Sequence, residues 1–165
     1  MTARRDGTPP NSDTEDNQMT HIPMKALIID ETWIDLILEG LKTWEMRSRQ
    51  TTIRGQFGLI RKGSGTVCGV ATLDACGEPM GTDAMIRAFD KHRIPDQQIH
   101  SGLVAKWNCP WKLSSVRQLP QPVPYRHKPG AVTWVNLEPE VATAICKQLA
   151  RKIHAGWRMW RKVLI

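Results

Sequence analysis

The sequence predicts an α+β fold: a small, barrel-like core of mixed strands with helices inserted and one amphipathic helix at the C-terminus. Three observations predict it. Short apolar or alternating segments bounded by turn residues recur through 25–137, as strands do. A helical, mostly polar pattern interrupts them at 81–103. From about residue 138, Ile145, Leu149, Ile153, Trp157, Trp160 and Leu164 return every three or four positions as one apolar stripe.

The elements follow in order. Residues 1–23 are polar, proline-containing and without periodicity, which predicts a disordered leader before a domain over 24–137 and a basic helix over 138–165. "KALIID" (25–30) is a strand. Asp30 then caps a helix over 31–39, with Glu31 at its positive end and Gly40 as the left-handed stop. In "KTWEMRS" the period of two sends Lys42, Trp44 and Met46 to one face and Thr43, Glu45 and Arg47 to the other. Two more strands, 55–63 and 66–76, are joined by the turn Gly63-Ser64-Gly65. The insertion 81–103 is capped by Thr82 or Asp83 and broken near Pro95. Strands 111–119 and 130–137 then flank the proline-rich "PQPVPYRHKP".

Composition narrows the function classes. A 165-residue chain that is 41% hydrophobic and 24% charged is an ordinary soluble domain in size and content. No apolar run reaches the roughly 18 residues of a membrane span, and the N-terminus has no signal-peptide core, so the expected location is cytoplasmic. The cysteines Cys68, Cys76, Cys109 and Cys146 form no CxxC pair, and the five histidines no HxH or HExxH. Neither a metal site nor a cofactor is expected, and the cysteines read as buried free thiols. The net charge of +7 is uneven: in residues 147–165, which hold no acid, Lys147, Arg151, Lys152, Arg158, Arg161 and Lys162 supply +6, leaving 7 − 6 = +1 for the other 146 residues. Such asymmetry points to an anionic partner for the tail, whose basic face would track phosphates.

The sub-pattern Gly40-x-Lys42-x-x-Glu45-x-Arg47 concentrates an ammonium, a carboxylate and a guanidinium. The ammonium, kept protonated by the nearby carboxylate, suits a phosphate or a base carbonyl; Arg47 is a fork for phosphate, and Glu45 accepts from an exocyclic amine. The plainer interpretation is an exposed ion pair worth about 0–1 kcal/mol. As a catalytic set the trio is incomplete: Thr43 shares the face of Glu45 two positions away, but nothing else completes a nucleophile–base pair.

In this order of elements, the pattern resembles the ASCH domain, a PUA-like small β-barrel family. Arg54-Gly55 opening the next strand, "VCGVATL", and the Gly-x-x-x-Trp of "YRHKPGAVTWVNL" extend the resemblance over about 25–137. It implies a role with RNA or a nucleotide held in a cleft over the barrel, with Lys42, Thr43, Glu45, Arg47 and Arg54 as ligand contacts. The alternative it implies is a hydrolase, either a ribonuclease or an amidohydrolase of a modified nucleoside such as acetylated cytidine, with Lys42 and Glu45 as the catalytic pair. In the amidohydrolase branch a threonine follows the lysine by three residues. Glu45 stands there instead, which weighs against that branch. Oligomeric state is not legible.

Overall fold

A computed structural model describes the backbone of residues 24–160 and side chains through Arg151; the expected leader, 1–23, lies outside the described residues. The chain runs β1 (Lys25–Ile29), α1 (Glu31–Leu38), β2 (Trp44–Arg47), β3 (Gly55–Arg61), β4 (Thr66–Cys76), α2 (Thr82–Arg87), α3 (Phe89–His92), α4 (Asp96–His100), β5 (Cys109–Pro124), β6 (Trp134–Asn136) and α5 (Pro139–Trp160). The strands form a six-stranded sheet in the order β2-β5-β4-β3-β1-β6. The β1–β3 pair is parallel and the other pairs are antiparallel. The sheet curls into a half-barrel, as a strongly twisted sheet with three register shifts along β4 and β5 should.

The sheet is covered on both faces, so its central strands read as near-continuous apolar runs. One face packs Ala26, Ile60, Val67, Val70 and Val135 under Val141, Ile145 and Leu149 of α5. The other packs Leu27, Ile29, Phe57, Leu59 and Leu73 under Ile34 and Ile37 of α1. Each fully buried aliphatic side chain contributes roughly 1.5–3 kcal/mol, which identifies why α5 docks by its apolar stripe. Gly69 lets α1 approach the sheet, since a Cβ there would lie 2.6 Å from Leu38 Cδ2 and 3.0 Å from the Arg117 carbonyl oxygen.

Local signals worked where the chain is short-range. The Asp30 side chain accepts the Thr32 N–H at 3.2 Å. Gly40 turns at φ 76°, after which the Leu41 and Lys42 amides both return to the Leu36 carbonyl. Four expectations need correction. The insertion breaks near Pro95 as predicted, but into three short helices, and its first cap is Gly81, whose carbonyl already accepts the Met85 N–H. The strand expected to end at 119 continues through Pro120, Pro122 and Pro124, because β5 pairs with β2 only at Cys109–Lys112 and is an edge beyond, where proline is tolerated. The strand expected over 130–137 shortens to Trp134–Asn136. Finally, not every thiol is buried: Cys76 is half-buried and Cys146 exposed.

Candidate functional site

A cleft of about 1000 Å³ opens between β2, the insertion and the two ends of the curled sheet. Its walls carry Trp33 from α1, Trp107 from the segment after α4, Trp111 from β5 and Trp134 from β6. Trp111 and Trp134 stack at 5.7 Å with an interplanar angle of 17°, although their strands are not neighbours in the sheet, so the stack is where the curl closes on itself. Phe57 meets Trp134 edge-on at 5.4 Å. The Trp111 indole N–H donates to the Arg49 carbonyl at 2.9 Å and pins the loop after β2 to the wall. Besides Lys42, four cations, Arg47, Arg49, Lys62 and Lys106, line the same cleft. Arg47 lies 5.5 Å from the Trp111 ring centroid and Lys106 lies 4.3 Å from that of Trp107.

Lys42 sits just before β2, and its side chain is 1% exposed. Its ammonium donates to the carbonyls of Trp44 (2.7 Å) and His92 (3.0 Å), stands 3.5 Å from Glu45 Oε2, and is 5.1 Å from the Trp33 ring centroid. Burial pushes its pKa down, partly offset by the Glu45 carboxylate. The lysine therefore ties two parts of the chain together. The Thr43 amide donates to the Lys91 carbonyl and Arg93 Nε to the Leu41 carbonyl, so three hydrogen bonds join 41–43 to 91–93.

His92, fully buried, completes that joint. Its Nδ1 accepts the Ile94 N–H at 2.9 Å, which leaves Nε2 as the donor to the Met85 carbonyl at 2.7 Å. Burial, first of all, lowers its pKa, so the neutral ring is the native form.

Glu45 is 5% exposed and lines the cleft between two cations. Arg47 Nη1 reaches Oε1 at a long 3.4 Å. Oε2 is buried without a hydrogen-bond partner: the Lys42 ammonium is at ion-pair distance, but its good hydrogen bonds go to the two carbonyls.

A family model for the ASCH domain matches residues 27–123, more than half the chain and all of the Gly40–Arg47 motif. The chain belongs to the ASCH family. Among solved structures it is similar to the ASCH protein of Zymomonas mobilis, with TM-score 0.59 and 14% identity over 76% of this chain and 94% of that one. Two mutant forms of the same Zymomonas mobilis protein match equally, at TM-score 0.59, with 15% and 14% identity, 76% of this chain, and 98% and 97% of theirs. These likenesses establish a PUA-like fold. Among curated proteins, none matches.

Within this ASCH domain the motif residues fare differently. Lys42, Glu45 and Arg47 all line the cleft. Lys42 does not share a face with Trp44 and Met46, away from Glu45, as strict alternation required: it precedes the strand, in the turn closed on Leu36, and swings back to Glu45. Nor is it a free point charge for phosphate. Met46 packs with Met85, Ile94, Ile99 and Val104 of the insertion. Thr43 lies outside the lining, its backbone spent on Lys91 and Leu113. Arg54 also lies outside, with Nη1 held by the carbonyls of Thr51 (2.6 Å) and Ile53 (2.7 Å). Lys147 and Arg151 are exposed on α5, on the side away from Val141, Ile145 and Leu149, and neither lines the cleft. The side chains of Lys152, Arg158, Arg161 and Lys162, and the stripe beyond Leu149, lie outside the described residues.

Sequence reading missed Trp33, Trp107, Trp111 and Trp134 as cleft residues, together with Arg49, Lys62 and Lys106. The available signal was seven tryptophans in 165 residues, with basic residues beside several of them, as in "KWNCPWK".

Proposed function

We propose that this ASCH domain binds single-stranded RNA, or a nucleotide unit of it, in the tryptophan-lined cleft. One observation carries the reading: four indole rings, with Trp111 buried behind Trp134, and four cationic side chains besides the buried Lys42 converge on one concave surface. Aromatic faces accept unstacked bases at roughly 1–3 kcal/mol per base, while arginine and lysine beside them follow the phosphates. Arg47 has donors to spare, since its contact with Glu45 is long. The exposed Lys147 and Arg151 of α5 would extend the phosphate track.

Hydrolysis of RNA or of an acetylated nucleoside would call on Lys42 and Glu45 as reacting groups. The lysine donates to two carbonyls and stands at ion-pair distance from Glu45, an arrangement that favours holding the cleft together over proton transfer. Binding is therefore the better-supported role.

Anisotropy titrations of labelled single-stranded RNA over a salt series test it. Affinity should fall with salt at roughly −0.7 in log–log slope per phosphate contact, and Arg47→Ala should make the slope shallower by about that amount. No salt-sensitive binding at low ionic strength would end the proposal.

A further inference from the structure

Resting on the binding role just proposed, we infer that the cleft selects guanine, with Glu45 reading its Watson–Crick edge. The inference starts from an unmet hydrogen-bonding capacity. A buried acceptor without a donor costs free energy, and such a group in a folded domain calls for an explanation. Glu45 is that group: 5% exposed, on the cleft wall, with Oε2 at ion-pair distance (3.5 Å) from Lys42 but without a hydrogen bond, and Oε1 holding only the 3.4 Å contact from Arg47.

A carboxylate presents two adjacent acceptors and no donor. The complementary partner is a planar edge with two adjacent N–H donors. Guanine supplies it through N1–H and the N2 amine, and its neighbouring O6 is an acceptor suited to the Arg47 guanidinium. Adenine and cytosine offer one amine beside a bare ring nitrogen, which would face the second carboxylate oxygen. Uracil offers one N–H between two carbonyls. The remaining surroundings suit a purine nucleotide: indole rings at Trp33, Trp107 and Trp134 for the base, with the buried Trp111 backing Trp134, and Arg49, Lys62 and Lys106 for phosphate. Lys42 is a positioning residue here, since its contacts fix where the Glu45 carboxylate stands.

Titration of the full chain with GMP, IMP, AMP, CMP and UMP, followed by tryptophan fluorescence or calorimetry, reads the preference directly. A good bidentate pair discriminates between bases by about fivefold to a hundredfold, so GMP should bind at least about fivefold more tightly than AMP, CMP or UMP. IMP, which keeps N1–H but lacks the N2 amine, should fall between. A second arm uses oligouridines of roughly eight nucleotides, within the span of single-strand sites, carrying one central guanosine, inosine or uridine. Preference in the oligonucleotides but not the mononucleotides supports a guanine site that takes its base from RNA; the reverse supports one for the free nucleotide. Glu45→Gln should bring the five mononucleotides to within about twofold of each other, because one acceptor is replaced by a donor. The wild-type panels decide the matter even if that variant unfolds. Equal binding of all five mononucleotides together with equal binding of the three oligonucleotides, or tighter binding of IMP than GMP, overturns the guanine assignment and leaves RNA binding standing. Absence of binding in both arms overturns both.

Discussion

Replacing Lys42 with methionine tests the joint that shapes the cleft. The change keeps an unbranched, apolar stem but removes the ammonium from the Trp44 and His92 carbonyls and from Glu45. The dominant cost is the carboxylate left behind. Glu45 is 5% exposed, and stripping the partner from a buried ion pair costs about 3–5 kcal/mol. The Arg47 contact at 3.4 Å survives and pulls the figure toward the lower end, while the unsatisfied His92 carbonyl adds about 1 kcal/mol. Against a total stability of about 5–15 kcal/mol, the loss is large. Urea unfolding should show it as a lower midpoint. The double variant Lys42→Met/Glu45→Leu removes both charges and should be more stable than the sum of the single losses requires, by about 1–3 kcal/mol of coupling. A Lys42→Met midpoint within about 1 kcal/mol of wild type, or strictly additive losses, would refute the buried joint.

Three further outcomes are expected. Gly69→Ala should destabilise by about 1–3 kcal/mol in the same unfolding assay, because its Cβ would overlap Leu38 Cδ2 and crowd the Arg117 carbonyl; a neutral result would mean α1 sits less tightly on the sheet than described. The contribution of His92 to stability should be complete above pH 6.5 and fall as pH drops below it. The His92 pKa is lowered by burial, so the unfolded chain takes up a proton that the folded one does not, with a slope of up to about 1.4 kcal/mol per pH unit. Carboxylates with lowered pKa, Asp30 and Asp35, add their losses only nearer their ordinary 3.8, and a flat profile between pH 6.5 and 5 would contradict a neutral, buried His92. Charge reversal of Arg151, Arg158 and Lys162 to glutamate should leave the body folded and remove most of the salt-dependent RNA binding; unchanged binding would make the tail structural.

What could be read from sequence followed the range of the interactions concerned. Asp30, Gly40 and the Gly63–Gly65 turn act through neighbours a few residues away, and the structure has each where the sequence expected it. The α5 stripe announced itself because its period is helical and its burial one-sided, at least through Leu149. Lys42 defeated the alternation rule because its destination is set by the His92 carbonyl, 50 residues away, which no local pattern encodes. The prolines of β5 misled for a related reason: whether proline ends a strand depends on which side of it is paired, a property of the sheet and not of the segment. The tryptophans were the largest omission. Trp111 is buried in the core and Trp134 packs against it, so both also serve the core. That they meet in the wall of a cleft follows only from the closure of the sheet.

The seven indole N–H resonances of the full chain, assigned and followed by NMR during titration with mixed-sequence single-stranded RNA, give the most direct test of the cleft as a base-binding site. Trp33, Trp107, Trp111 and Trp134 line the cleft and should shift or broaden together, while Trp44, outside the lining, should stay in place. Shifts confined to Trp44, Trp157 and Trp160, or no shift at saturating RNA, would contradict binding in the cleft.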